Sequence, residues 1–169
     1  MDAMQAILTR RSIRRYTSDP VPPGQVDRLL AAAMAAPSAG NQQPWHFVVI
    51  RDRSLLDAVP KFHPYAGMLK EAPVAILVCG DVNLEKHEGY WVQDCAAATQ
   101  NLLLAAHAEG LGAVWLGLYP RPHLVAGIRE LLGLPDHVLP LALIALGQPG
   151  EEKGPAERFD PSRVHHDRW

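Results

Sequence analysis

Four arginines fall within six residues, at Arg10, Arg11, Arg14 and Arg15, in a chain whose net charge is -2. Arg10 and Arg14 are four apart, so they share a side whether the segment is helical or extended; in an extended segment Ser12 joins them. Such a run has two readings. One is a solvated charge cluster. The other is a site for a phosphate monoester, because the arginine fork matches phosphate oxygens and each charge-assisted bond contributes about 1.5–3 kcal/mol. A second polar stretch follows at Pro37-Ser38-Ala39-Gly40-Asn41-Gln42-Gln43-Pro44. It is small, bounded by turn formers, and offers backbone N–H groups, one hydroxyl and three side-chain amides. It reads as a loop able to hydrogen-bond a polyhydroxylated ligand, or simply as a loop.

Positioning these segments requires a core, and the chain supplies one. From Cys95 to Ala108 no residue is formally charged, and the polar positions Gln93, Gln100 and His107 recur seven apart on one narrow helical face. A helix apolar almost all round is a buried helix. Gly110 is placed for a left-handed cap at its end. Residues 113–116, AVWL, form a strand that stops at Gly117, where a glycine lets backbone approach a flat ligand. Residues 2–9 predict a short helix. Pro22-Pro23 opens another, with Val26, Leu29, Leu30, Ala33 and Met34 as its apolar stripe, and Pro37 ends it. Residues 45–50 (WHFVVI), 74–79 (VAILVC) and 139–146 (LPLALIAL) predict three more strands, with Pro140 limiting pairing at the start of the last. A helix from Pro122 is closed by Gly133. Residues 51–70 are weakly patterned, with a short helix expected at 65–70.

Length and composition bound the function. A chain of 169 residues, 48% apolar and 20% charged, suits a single globular domain spanning 1–169. The slight negative charge argues against nucleic acid as a partner. Cys79 and Cys95 sit in apolar runs and suggest no disulfide framework; the eight His show no metal spacing. No apolar span is long enough for a membrane and no signal segment opens the chain, so a cytoplasmic location is expected. The last segment, 147–169, is rich in Gly, Pro and charge yet ends with Phe159, Val164 and Trp169. It reads as a frayed tail or as an arm packing on a neighbouring subunit, and the row of Phe, Val and Trp anchors favours the arm. No nucleophile elbow, Walker loop, dinucleotide fingerprint or HExxH motif occurs, and the carboxylates are unpaired. Asp94 alone lies inside the central helix, where it reads as a cap or dipole partner. A phosphate-suited cluster without an acid–base set makes sense if a cofactor carries the chemistry.

Three blocks, Arg10-Arg11-Ser12-Ile13-Arg14, PSAGNQQPWHFVV at 37–49 and GLGAVWLG at 110–117, come in an order and spacing that resembles the FMN-dependent nitroreductase family, in its compact members. The resemblance implies an α+β, three-layer fold: a mixed, mostly antiparallel sheet flanked by helices, in a domain-exchanged homodimer with FMN at the interface. It implies that Arg10 binds the FMN phosphate, with Arg11 in the same segment and Ser12 near the ribityl chain. Arg14 would meet the pyrimidine edge, where the reduced flavin is negative. Pro37, Ser38 and Asn41 would come from the second subunit. Leu116 and Gly117 would lie beside the isoalloxazine. Arg158 would be a second phosphate contact and Lys153 a further candidate, with no catalytic side chain beyond the flavin N5 and no metal. Trp45, Tyr90 and Trp91 are candidates for an acceptor pocket and equally for the core, the core reading leading for Trp91 because of the helix it sits on. The activity implied is ping-pong hydride transfer from NADH or NADPH through the flavin to an electron-poor small-molecule acceptor, such as a nitroaromatic or quinone. Alternatives are a relative acting on enones, halogenated aromatics or the flavin itself, or a flavin-holding or flavin-delivering protein with little turnover.

Overall fold

The computed structural model describes all residues 1–169. Four strands, β1 (Trp45–Ile50), β2 (Val74–Asp81), β3 (Gly112–Gly117) and β4 (Val138–Gly147), form one sheet in the order β1-β2-β4-β3, antiparallel throughout. The two apolar runs become the central strands, as strands covered on both faces must be. The register shifts between Val78 and Cys79, opposite Pro140, whose missing N–H interrupts the ladder.

There are five helices, α1 (Ala3–Thr9), α2 (Pro23–Met34), α3 (Arg53–Ala58), α4 (Trp91–Ala108) and α5 (Pro122–Leu132); the last four cover the sheet and α1 packs on α4. Side chains alternate across the strands and build two cores. On one face Val74, Ile76, Val78, Ile144 and Leu146 meet Leu29 of α2 and Cys95, Ala98 and Leu102 of α4. On the other, Ala75, Leu77, Leu143 and Ala145 meet Leu56 of α3, Leu69, and Leu124 and Ile128 of α5. The sheet is thus the middle of three layers. Gly110 (φ 77°) follows α4 and Gly133 (φ 64°) caps α5, the left-handed ends expected of them.

Three readings from the sequence need adjusting. The weakly patterned stretch contains α3, started by Asp52, whose carboxylate accepts from Ser54 N at 2.7 Å. The helix expected at 65–70 is a single 3-10 turn, Gly67–Lys70. Asp94 does not cap its own helix. Its buried carboxylate accepts from Ala39 N (2.9 Å) and Gln42 Nε2 (2.6 Å), tying the 37–44 bend to α4.

Residues 10–16 form an extended strap along the free edge of β3. Ser12 makes a parallel bridge with Ala113, the one parallel pairing, and Ile13 N donates to Ala113 O at 3.0 Å. The strap ends on buried Tyr16, whose hydroxyl lies 2.7 Å from Ile13 O and 3.2 Å from Ala145 O. Burial pushes that phenol well above its ordinary pKa, so it remains a neutral donor. Gly112 permits the strap's approach: a Cβ there would stand 2.7 Å from Ile13 Cγ2. No helix is long and apolar enough to cross a membrane.

Candidate functional site

The strap presents its arginines in two directions. At its N-terminal end Arg10 is half-buried, with Arg158 and Arg11 near. Burial, then Arg158, then Arg11, lower the Arg10 pKa. Neither Arg10 nor Arg158 has a side-chain hydrogen bond or ion pair within the chain, whereas Arg15, Arg28, Arg53, Arg129 and Arg163 each meet a carboxylate. Like charges brought together without partners are unfavourable unless an anion joins them. Arg11 differs, because its guanidinium is bonded to the carbonyl of Gly154. Lys153 also braces the strap, with Nζ 2.8 Å from Ser12 O and 3.0 Å from Glu151, which in turn accepts from Arg14 N at 2.6 Å. The helix α4 closes this end with His107, whose Nε2 lies 2.7 Å from Thr9 Oγ1. Burial, then the charge of Arg10, lower the His107 pKa and hold its ring neutral.

At the other end of the strap Arg14 lines a cavity of about 240 Å³ with Trp115, Leu116 and Gly117 of β3, then Tyr119, Arg121, Leu124, His63 and Tyr65. The resemblance put Arg14, Leu116 and Gly117 at one place, and in the structure they line one cavity. A Cβ at Gly117 would meet no protein atom within 4 Å, so nothing packed inside the chain demands glycine there. His63 is buried and holds the strand end, with Nε2 3.2 Å from Gly117 O and Nδ1 3.3 Å from Tyr65 N. If Nδ1 accepts from Tyr65 N–H, the Nε2 proton must be the one donated to Gly117.

Pro37 and Ser38 line a different depression with Tyr90, Gln93 and Asp94, and share none of the Arg14 cavity. Asn41 is exposed, with its amide oxygen accepting from Gln43 Nε2 at 2.8 Å. Of the aromatic candidates, Trp45 and Trp91 belong to the core and Tyr90 to the Pro37 depression. The cavity instead takes its rings from His63, Tyr65, Trp115 and Tyr119. His63 and Tyr65 lie in the segment with no periodic signal. Arg121 had one available clue, a lone charge between Pro120 and Pro122 where a strand ends and a helix begins.

Fold and site together define an α+β protein with a cationic cleft at one end of a strand, floored by glycine backbone. Comparison with known proteins narrows this. The Nitroreductase family model matches residues 7–65 and 57–148. A protein of Methanothermobacter thermautotrophicus, provisionally named NADH dehydrogenase/NAD(P)H nitroreductase, is 53% identical over 169 residues, covering 100% of this chain and 88% of its own. A crystal structure from Parabacteroides distasonis with the same provisional name superposes with TM-score 0.95 at 43% identity, covering 98% of each chain. A provisionally named nitroreductase from Desulfovibrio desulfuricans, crystallised with FMN, has TM-score 0.86 and 35% identity, covering 100% of this chain and 99% of that one. The chain belongs to the nitroreductase family, and its three layers are the fold of that family.

Proposed function

We propose that this chain forms a homodimeric flavin oxidoreductase that takes electrons from NADH or NADPH and passes them to an electron-poor small molecule such as a nitroaromatic or quinone. The observation that carries the reading is the strap: unpartnered Arg10 and Arg158 at one end, and unpartnered Arg14 beside the Gly117 cavity at the other. A ligand with a phosphate at one end and a flat ring at the other fits that spacing of functions. Bound FMN would supply the redox chemistry, accepting a hydride from the nicotinamide and releasing reducing equivalents to the acceptor in a separate encounter.

The chain's own residues have binding roles. Arg10 and Arg158 neutralise the phosphate, with Arg11 and Lys153 holding the strap and the C-terminal segment together around it. Arg14 stabilises negative charge at the ring's edge and so favours the reduced form. Leu116 and Gly117 offer backbone, and His63 keeps the Gly117 carbonyl from swinging. Pro37, Ser38 and Asn41 serve the site of the other subunit, since within one chain none of them lines the Arg14 cavity.

Two exposed features support the dimer. Met4, Ile7 and Leu8 of α1 and Met34 of α2 are largely exposed, around a mostly apolar depression that reaches Leu104 of α4. In the C-terminal arm Phe159 is 85% exposed and Trp169 fully so, held only by a stack on His165 at 4.3 Å. Both surfaces are costly unless a second copy covers them. A cytoplasmic setting accords with two buried free thiols, the Cys79 pKa being pushed up to about 12 by burial.

The test is cofactor binding with FMN and riboflavin side by side. Arg10→Ala and Arg158→Ala lose FMN affinity but leave riboflavin affinity close to wild type. Arg14→Ala weakens both and makes the reduction potential of bound flavin more negative. Equal loss of FMN and riboflavin in Arg10→Ala would remove the phosphate role. Light scattering checks the dimer, and NADH oxidation with a nitroaromatic checks turnover.

A further inference from the structure

The Arg14 cavity contains a second guanidinium that the flavin reading leaves over. Arg121 stands between β3 and α5, lines the cavity, and has no hydrogen bond or ion pair to its side chain anywhere in the chain. No Asp or Glu lines this cavity. Beside Arg14 and the Trp115 indole, its other polar side chains are Tyr65 and Tyr119, whose hydroxyls are also unpartnered, and His63, whose two nitrogens are engaged at Gly117 O and Tyr65 N. The first turn of α5, Pro122 to Leu124, opens beside it, adding the positive end of an eleven-residue helix. The free polar side chains at this mouth are thus two cations and groups that can donate, with no anion among them, although the two phenol oxygens can also accept. Low-dielectric walls around like charge concentrate anions.

We propose that Arg121 is an anion-recognition residue that selects, among the molecules entering over the site, those carrying a carboxylate or phosphate group beside a flat ring. The inference rests on the flavin reading in one respect, that Arg14 is engaged by the cofactor's edge and leaves Arg121 for the visitor. The anion has two sources, an acceptor with its own carboxylate or the phosphates of the nicotinamide dinucleotide.

The experiment titrates FMN-loaded protein with benzoate and with benzamide, a neutral ring of nearly the same shape, by calorimetry. Wild type binds benzoate roughly tenfold more tightly than benzamide, as one charge-assisted contact would give. Arg121→Ala brings the ratio near one, Arg121→Lys keeps part of it, and Arg121→Glu inverts it. In parallel, the dissociation constant of NADH is read from the concentration dependence of flavin reduction. Loss of NADH affinity in Arg121→Ala, with the benzoate ratio intact, assigns the anion to the donor and sustains the residue's role. Unchanged benzoate discrimination together with unchanged NADH affinity overturns it. Protein that retains no FMN on purification, yet still discriminates benzoate through Arg121, would sink the cofactor reading while leaving this subsite standing. Because Arg121 is exposed and unpaired, its variants test recognition without disturbing the fold.

Discussion

The strap at 10–16 and the bend at 37–44 flank α2, and both are polar, but their hydrogen bonds go to opposite ends. The bend uses its polar groups on itself and its scaffold. Asp94 accepts Ala39 N and Gln42 Nε2, while Gln42 Oε1 accepts the backbone N–H of Lys86 (2.8 Å) and His87 (3.1 Å). Ser38 Oγ accepts Gln43 N at 3.0 Å. The strap secures its backbone, through Ala113, Glu151 and Tyr16, and leaves the guanidiniums of Arg10 and Arg14 unpartnered. A polar group that is buried must be satisfied inside the chain; a charge at the surface has water and can wait for a ligand. Within one chain the two polar segments are therefore held differently: the bend is tied down through its side chains, the strap through its backbone with two guanidiniums left free.

Substitutions should separate the two regions cleanly. Asp94→Ala strands a buried amide and a backbone N–H, and should cost about 3 kcal/mol of stability by urea unfolding. A midpoint within experimental error of wild type would mean the bend is not held from α4. Arg10→Ala should behave in the reverse sense: about 2 kcal/mol of FMN affinity lost, near thirtyfold, while the cofactor-free protein unfolds at an unchanged or slightly higher temperature because a like-charge cluster is relieved. A large stability loss there would show that Arg10 has a structural partner after all. Gly112→Ala lies between these cases. Its Cβ must displace Ile13, so both stability and FMN affinity should fall, by about 1–2 kcal/mol in unfolding. Affinity that survives a measurable loss of stability would detach the strap's position from its function.

The smallest expected effect concerns pH. His107 has a lowered pKa in the folded protein, from burial and then Arg10, against an ordinary value near 6.5. The unfolded chain thus takes up a proton more readily. The stability this contributes is complete above about pH 6.5 and is lost as pH falls through the lowered folded value. His107→Gln should flatten that part of the thermal midpoint against pH. A slope identical to wild type would place the acid sensitivity elsewhere.

Much of the frame was readable in advance. The uncharged run from Cys95 to Ala108, the strands at 74–79 and 113–116 and the left-handed glycines all stand where periodicity put them, because burial on both faces leaves a continuous apolar record. The strap's arginines were visible as local charge density. The mouth of the cavity was not. His63 and Tyr65 come from an irregular segment and Arg121 from a turn, so no repeat marks them; only the packing of Phe62 and Leu124 against the second core brings those pieces to Gly117. Trp45 and Trp91 could be read from sequence as pocket or core, since a large ring satisfies either, and both belong to the core.

What the amino-acid order alone determined is which stretches must be buried, which must turn, and where positive charge is concentrated, since these follow from local side-chain chemistry. Which charges would find partners was decided only by tertiary structure. Pairing depends on distances between residues remote in sequence: it brought Glu71 to Arg15 and Glu109 to Arg28, set Arg158 near Arg10, and left Arg14 and Arg121 facing one open cavity.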